Sequence, residues 1–229
     1  MIAVTFALPA ESANFVRLLK RKARDGASLR GTINERDVRI VHTGVGEAAA
    51  RRCLSEFLGS HKPELLVSSG FAGALNEQLQ IGDILLAQNY SAPTLLAAAR
   101  HLLPSSDTHV GALVTARAIV DSVVDRRELA RGSGALAVDM ETQFIAEACS
   151  QHALPMLSLR AISDSPAARL PVPADVMFDI QRQRTRYGAL AVHVAKDPGA
   201  LWRLGHFGYH IGIVRESLTD ALDALLKNL

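Results

Sequence analysis

The sequence predicts an α/β fold, in which a single domain has a mostly parallel central sheet flanked by helices. Short apolar segments alternate with segments of helical periodicity along most of the chain. The chain has 229 residues, of which 48% are hydrophobic, and this is enough to bury one substantial core. We therefore expect one domain over residues 1–229, with a helical extension from about residue 174 to the C-terminus.

Strands and helices alternate in the first half of the chain. In order, we predict a strand over residues 2–8, a helix over 9–24, a strand over 38–42, a helix ending near 60 and a strand over 65–69. The strands are continuous runs rich in Val, Ile and Leu, as expected for parallel strands buried on both faces. The first helix is predicted from Pro9 in its first turn and Glu11 as an early acidic residue, and the second from the alanine-rich run after Gly46.

The second half continues the alternation and ends in a long helix. In order, we predict strands over 82–88 and 111–115 with a helix over 95–103 between them, a strand over 135–138, a helix after 141 and a strand over 155–162. Residues 170–199 begin with two prolines, which favours a loop, and then resume a helical pattern. Residues 200–229 place apolar side chains three or four apart, which predicts one apolar face of a long terminal helix.

Two glycine-rich segments follow predicted strands. Gly44 and Gly46 lie between a strand and a helix, where backbone amides can bind an anion or a ligand oxygen. Gly70 and Gly73 flank Ala72 after the next strand, and small residues there allow a planar ligand to approach the backbone closely. A tight turn explains each glycine pair equally well.

Three carboxylates fall where a strand gives way to a helix or loop: Glu11, Glu141 and Asp164. Each of them has an ordinary explanation as a helix cap or a partner of the helix dipole. Ligands of parallel α/β sheets bind outside the carboxyl ends of the strands. Because all three acids are predicted at that edge, together with Asp139 and Ser163, we expect them to face one pocket.

Composition argues against several other classes of protein. The 25 basic and 23 acidic residues form no long block of either sign, so no nucleic-acid partner is expected. Cys53 and Cys149 fit neither a zinc site nor a disulfide framework, and we expect no metal. The N-terminus opens directly on an apolar strand without a basic leader, which predicts a cytoplasmic location.

Six motifs occur in one order along the chain: ALPAE (7–11), TGVGEAAA (43–50), SSGFAGAL (68–75), IGDILLA (81–87), AVDMET (137–142) and RAISD (160–164). This set resembles the purine nucleoside phosphorylase and nucleosidase superfamily, and within it the methylthioadenosine/S-adenosylhomocysteine nucleosidases. The run GALAVDMET, the segment Asp-Ser-Pro followed by LPVP, and the segment DPGALWRL are most similar to the hopanoid-associated phosphorylase-like nucleosidases. The resemblance implies a three-layer α/β/α fold and cleavage of an N-glycosidic bond.

The resemblance also implies roles for individual residues. Asp164, oriented by Ser163, corresponds to the acid that protonates or hydrogen-bonds purine N7. Glu141 corresponds to the acid that binds the ribose hydroxyls, and Glu11 acts with it on the attacking water. Met140 would pack under the sugar, and Ile119 and Val120 would contact the base. With the glycine and carboxylate patterns, the predicted substrate-binding set is Met140, Asp139, Ala72, Gly73, Ile119, Val120, Ser163, Gly44 and Gly46.

The sequence departs from the phosphorylase pattern in its basic residues. The arginines that hold phosphate in the superfamily's phosphorylases are missing from ALPAESA and ELLVSSGFAG, which favours water as the nucleophile. Arg17, Arg51 and Arg117 remain as candidate anion partners, with solvated helix positions as the alternative. Ile119 replaces the aromatic residue that stacks on the base in the nucleosidases.

We therefore predict an enzyme that hydrolyses a 5'-substituted adenosine, such as adenosylhopane, to release adenine without a cofactor. An apolar pocket mouth near residues 172–178 would suit such a substrate. The alternatives are methylthioadenosine/S-adenosylhomocysteine hydrolysis, phosphorolysis of a purine nucleoside and nucleoside binding without catalysis. By resemblance we expect a homo-oligomer, and a lipid nucleoside as substrate would bring peripheral contact with a membrane.

Overall fold

The chain folds into strands and helices that match the predicted α/β class. The computed structural model describes residues 1–166, 170–173, 176 and 178–228. The strands in these ranges are β1 Ile2–Phe6, β2 Lys20–Asp25, β3 Ser28–Ile33, β4 Arg36–His42, β5 Leu65–Ala74, β6 Ile84–Ala87, β7 Thr108–Gly111, β8 Leu113–Thr115, β9 Ala137–Asp139, β10 Met156–Asp164, β11 Phe178–Asp179 and β12 Arg184–Thr185. The helices are α1 Pro9–Ser12, α2 Phe15–Leu18, α3 Glu47–Ser60, α4 Pro93–Leu102, α5 Val123–Ser133, α6 Thr142–Gln151, α7 Tyr187–Lys196 and α8 Gly199–Asn228.

A ten-stranded sheet forms the centre of the described structure, in the order β2-β3-β4-β1-β5-β10-β6-β7, with β9 paired to β5 and to β8. The central strands β4, β1, β5 and β10 run parallel to one another. Strand β2 is antiparallel to β3, β3 to β4, and β6 to β10, whereas β7 runs parallel to β6. The carboxyl ends of the four parallel strands therefore lie at the same edge of the sheet.

Helices cover both faces of the sheet and create the predicted three layers. On one face the C-terminal half of α8 packs against the sheet through Val214, Leu218 and Leu222. On the other face α3 and α6 bring Leu54 and Ile145 against the sheet. Because apolar layers bury the central strands from both sides, every residue of β1 is buried.

The predicted helix over residues 9–24 is wrong beyond its first turns. In the structure, the first part of this range forms two short helices, α1 and α2. Strand β2 follows them and forms an antiparallel hairpin with β3, which pairs with β4. The sequence of β2, KRKARD, is charged and mostly exposed, as expected of a strand at the edge of a sheet. Because β2 has no alternation of apolar and polar residues, its sequence showed no strand pattern.

Three further boundaries differ from the predicted ones. Residues 70–74 continue β5 instead of forming a turn, because β10 and β9 pair with this segment. The predicted strand over residues 111–115 is divided between β7 and β8. Helix α5 was not predicted, although Ser122 caps it by accepting a hydrogen bond from the Asp125 amide and Gly134 ends it with φ of 66°.

The apolar face predicted along residues 200–229 is most deeply buried in its C-terminal half. Leu201 and Trp202 in the first turn of α8 are exposed, whereas Leu222 and Leu225 are fully buried. The described helices include none that is both long enough and apolar enough to span a bilayer.

Candidate functional site

Four of the predicted site segments meet at the carboxyl edge of the parallel strands. Glu11 follows β1, Gly46 follows β4, Gly73 lies near the end of β5 and Asp164 ends β10. Glu141 reaches the same place by a different route from the one expected. Strand β9 runs antiparallel to β5, with Val138 opposite Gly73, so the chain after β9 runs back toward residues 70–71.

Glu11 is buried and accepts two backbone hydrogen bonds. Its Oε2 accepts from the Leu8 amide at 2.9 Å, and its Oε1 accepts from the Phe71 amide at 3.1 Å. A Cβ atom at Gly70 would lie 3.2 Å from Oε1, and φ of 153° at this glycine is in a region that other residues rarely adopt. Burial raises the pKa of Glu11, while the backbone hydrogen bonds and the charge of Arg160 oppose the increase.

Glu141 precedes α6 and is also buried. Its Oε1 accepts a hydrogen bond of 2.7 Å from the Gly46 amide. Burial, followed by the charge of Asp139, raises the pKa of Glu141 to about 8, and the charge of Glu11 contributes in the same direction. The chain after β9 runs back toward residues 70–71, and Glu11 Oε1 accepts from the Phe71 amide, so Glu11 and Glu141 lie at the same part of the sheet edge.

Asp139 forms a buried ion pair with Arg160. The Arg160 Nε lies 3.0 Å from Asp139 Oδ2, and the Thr115 hydroxyl donates to Asp139 Oδ1 at 2.8 Å. The guanidinium also donates to the Ser68 carbonyl oxygen at 2.7 Å and to the Thr142 hydroxyl at 2.5 Å. These bonds fix the corner between β9 and α6 and thereby position Glu141. Arg160 belongs to the RAISD motif, but the sequence did not reveal this function.

Asp164 carries hydrogen bonds on both carboxylate oxygens. The Ser163 hydroxyl donates to Oδ1 at 2.7 Å and also lies 3.3 Å from the Ala72 carbonyl oxygen. Arg126 Nη2 forms an ion pair with Oδ2, and the Arg126 side chain is only 2% exposed. The predicted orientation of Asp164 by Ser163 is thus accompanied by a cation that sequence reasoning missed, since α5 itself was not predicted.

A small cavity of about 90 Å³ lies beside this ion pair. Its lining consists of Gly73, Ala118, Ile119, Val120, Arg126, Val138, Asp139, Met140, Asp164 and Leu170. A larger cavity of about 660 Å³ shares Ile119 with it and is otherwise lined by Asp121, Phe178, Asp179, Ile180, Gln181, Arg182 and Arg186. The structure therefore brings together the residues predicted to contact a base, with a roomier cavity next to them.

The predicted glycine amides have acceptors within the protein. The Gly44 amide donates to the Ala7 carbonyl oxygen at 3.0 Å, and the Gly46 amide donates to Glu141. The intervening Val45 amide donates to Gln183 Oε1 at 2.7 Å. This loop therefore holds the Glu141 side chain through the Gly46 amide. That the loop binds a ligand oxygen stays a prediction.

The four acids at this edge differ in their charge partners. Asp139 and Asp164 each pair with an arginine, whereas Glu11 and Glu141 form no ion pair within the described ranges. The candidate anion partners lie elsewhere: Arg51 pairs with Glu47 and Glu147 on the helices, and the Arg117 side chain is 82% exposed beside Glu47. The site thus contains two buried carboxyl groups whose negative charge, when they ionise, is not neutralised by an ion pair within the described ranges.

Groups of metal-binding side chains are absent from the part of the chain that the structure describes. The arrangement is suited instead to binding a neutral or developing positive centre near Glu11 and Glu141. The Arg126–Asp164 pair offers hydrogen-bond donors and acceptors to a polar ring in the small cavity.

Comparisons with known proteins agree with this architecture. A family model described as the phosphorylase superfamily matches residues 1–196. A 5'-methylthioadenosine/S-adenosylhomocysteine nucleosidase of Staphylococcus epidermidis is 26% identical over 200 residues, which cover 72% of this chain and 86% of the relative.

Solved structures of nucleosidases share the fold over the full length. The Streptococcus pneumoniae MTA/SAH nucleosidase in complex with 8-aminoadenine has a TM-score of 0.76 at 21% identity, covering 100% of this chain and 99% of its own. The native futalosine hydrolase of Helicobacter pylori has a TM-score of 0.74 at 16% identity, covering 100% and 97% respectively.

Proposed function

The chain belongs to the phosphorylase superfamily, and from this premise and the site geometry we propose that it cleaves the N-glycosidic bond of a purine nucleoside, with water as the attacking molecule. The proposal is carried by the two buried glutamates, Glu11 and Glu141, for which the described residues supply no ion-pair partner. Cleavage of a glycosidic bond passes through a sugar with oxocarbenium character. Buried carboxylates aimed at such a positive centre stabilise it more strongly than they would in water.

We propose complementary tasks for the two glutamates. The Gly46 amide holds one oxygen of Glu141, which leaves its second oxygen for the sugar hydroxyls. Glu11, held by two backbone amides, is placed to accept a proton from the attacking water. Positive charge on the sugar favours the ionised form of both groups, so the electrostatic cost of ionising them in the empty site is offset as the bond breaks.

The charge balance favours water over phosphate. A phosphate ion would enter beside two acids that have no ion-pair partner in the described structure, and like charges at short distance in a buried site repel strongly. The two arginines that pair with acids of this site are already bound, Arg160 to Asp139 and Arg126 to Asp164. This agrees with the absence of arginine from the first loop and from the segment before residue 70.

For the substrate, we propose adenine nucleosides with a 5' substituent, such as adenosylhopane. The base would occupy the cavity of about 90 Å³ against Val120, Met140 and Asp164. The 5' group would extend into the adjoining cavity of about 660 Å³. Of the apolar mouth predicted at residues 172–178, residues 174, 175 and 177 lie outside the described residues. The lining of this larger cavity combines Ile119 and Phe178 with charged side chains. A less apolar 5' group would also suit such a lining, so methylthioadenosine and S-adenosylhomocysteine are the alternative substrates.

The test is chromatographic detection of free base from adenosine, methylthioadenosine, S-adenosylhomocysteine, inosine and adenosylhopane, each with and without phosphate. We expect adenine release at the same rate with and without phosphate, and the highest kcat/KM for a 5'-substituted adenosine. Release that requires phosphate would contradict the choice of nucleophile, and release from none of these compounds would contradict catalysis.

Two variants, one just before α6 and one within it, sharpen this assay. Glu141→Gln retains an oxygen to accept from Gly46 but cannot become negative, and we expect kcat to fall by about 100-fold or more, as for loss of one electrostatic contact to a transition state. Glu147→Gln is the matched control, because Glu147 lies on the surface of α6, the helix that Glu141 precedes, and pairs with Arg51. Wild-type turnover by both variants would contradict the assignment of Glu141.

A further inference from the structure

Arg126 is the least expected residue of the site. It projects from α5 into the interior, where its side chain is 2% exposed. Its Nε donates to the Val120 carbonyl oxygen at 3.0 Å, its Nη1 donates to the Ala74 carbonyl oxygen at 3.0 Å and its Nη2 pairs with Asp164 Oδ2. These bonds use three of the five N–H groups of a guanidinium, so further donor capacity remains.

This guanidinium lies at the wall of the small cavity. It lines that cavity together with Gly73, Val120 and Asp164. A Cβ atom at Gly73 would lie 3.4 Å from both Nη1 and Nη2 of Arg126 and 3.0 Å from Asp164 Oδ2. Glycine at position 73 therefore keeps the space in front of the ion pair free of side-chain atoms.

Both oxygens of the Asp164 carboxyl group act as hydrogen-bond acceptors. One of its oxygens accepts from the Ser163 hydroxyl and the other from Arg126. An ionised carboxylate can only accept hydrogen bonds, whereas a guanidinium can only donate them. The pair thus presents a donor and an acceptor side by side. The edge of adenine that carries N7 and the 6-amino group presents the complementary acceptor and donor.

We propose that Arg126 is a catalytic residue that contacts N7 of the bound purine and supplies the positive charge that stabilises the leaving base, while Asp164 accepts a hydrogen bond from the 6-amino group. This inference rests on the proposed function and assigns the contact with N7 to Arg126, whereas the family resemblance implied that Asp164 protonates or hydrogen-bonds N7. A guanidinium is permanently charged, so this stabilisation requires no proton on a group that is already paired with a cation.

The step balances without another reactant. The bond between the sugar C1' and the purine N9 breaks, and its electron pair moves into the purine ring, whose N7 is hydrogen-bonded to Arg126. The oxygen of water forms the new bond to C1', and the proton of that water passes to Glu11. The purine anion then takes up one proton, which returns Glu11 to its initial state through solvent.

The experiment compares each adenine nucleoside that the wild type cleaves with its N7-methylated form. The methylated base is already positively charged and departs as a neutral molecule, so it needs no help from Arg126. For Arg126→Met we expect kcat to fall by about 100-fold on the unmodified nucleoside and by less than about threefold on the methylated one. Arg126→Lys retains a positive charge and should restore part of the activity on the unmodified nucleoside.

Folding is controlled in two ways. Thermal unfolding of each variant is followed by circular dichroism, because removing one member of a buried ion pair leaves the other charge uncompensated. The double variant Arg126→Met/Asp164→Asn removes both charges, and we expect its activity on the unmodified nucleoside to stay as low as that of Arg126→Met.

Three results would overturn the inference. Equal losses on both nucleosides in folded Arg126→Met would mean that Arg126 has only a structural role, and no loss on the unmodified nucleoside would mean that the base does not depend on it. Wild-type activity on the unmodified nucleoside in the double variant would have the same meaning. In each case the wild type still releases base, so the proposed function stands; absence of base release by the wild type removes the function and this inference together.

Discussion

Replacing Glu141 with Gln tests the electrostatics of the site independently of any substrate. Burial and the neighbouring charges of Asp139 and Glu11 raise the pKa of Glu141 from 4.5 to about 8. A carboxyl group whose pKa is raised by folding binds a proton in the folded state that the unfolded state has already lost. Its stabilising contribution is complete below pH 4.5 and disappears as the pH rises through about 8. Gln resembles the protonated form at every pH.

The magnitude follows from the same two values. At about 1.4 kcal/mol for each pH unit, the interval between 4.5 and about 8 sets a ceiling of about 5 kcal/mol on the gain of Glu141→Gln relative to the wild type. Because the neighbouring acids share this cost by changing their own protonation, we expect the stability gain of Glu141→Gln to be roughly half of that ceiling. For a domain of this size, a stability change of that order corresponds to a shift in Tm of about 5–10 °C.

The measurement is thermal unfolding by circular dichroism between about pH 5 and pH 9 for the wild type, Glu141→Gln and Glu147→Gln. We expect the Tm of Glu141→Gln to rise relative to the wild type as the pH increases. Glu147→Gln should show a constant difference over this range, because its hydrogen bonds to Gln143 and Arg51 lower the pKa of Glu147. A difference between Glu141→Gln and the wild type that does not change with pH would refute the raised pKa.

Three other predictions concern catalysis, packing and thiol reactivity. Glu11→Gln should lower kcat by about 100-fold or more, as for loss of a general base, with a smaller change in KM, which steady-state kinetics would measure. Leu222→Ala should cost about 2–5 kcal/mol in urea unfolding, because Leu222 is fully buried under the sheet, whereas Leu201→Ala at the exposed end of the same helix should change stability by less than about 0.5 kcal/mol. Burial raises the pKa of Cys149 to about 12, and that of Cys53 is also raised, so a thiol reagent at neutral pH should label the native protein far more slowly than the urea-unfolded protein; equal rates would contradict the packing of Cys149.

The fold class could be predicted from the sequence because buried parallel strands leave a strong local signal. Strand β1 is buried along its whole length and β10 along almost all of it, β4 contributes the apolar residues Val38, Ile40 and Val41, and the helices between the strands carry an apolar stripe. The hairpin β2–β3 left no such signal, since an edge strand is exposed and tolerates charged residues. Helix α5 was missed although the Ser122 cap and Gly134 mark its two ends, because the apolar periodicity between them is weak.

Much of the candidate site was also visible in the sequence. Glu11, Glu141 and Asp164 were selected because each was predicted where a strand ends. The rule for the carboxyl ends of parallel strands accounts for Glu11 and Asp164, whereas Glu141 reaches the same edge after the antiparallel strand β9. Ser163 was selected as the neighbour of Asp164, and its hydroxyl donates to that carboxylate in the structure. Their catalytic roles remain predictions to be tested by the variants described above.

By itself, the sequence determined the α/β class and the presence of acids at one edge of the sheet, because strand and helix periodicity is encoded locally. Only the tertiary structure decided which acids are neutralised. Arg160 and Arg126 reach Asp139 and Asp164 from distant parts of the chain, and an ion pair between residues far apart in sequence has no local pattern. The same long-range packing leaves Glu11 and Glu141 without such partners in the described structure, and burial then raises the pKa of both.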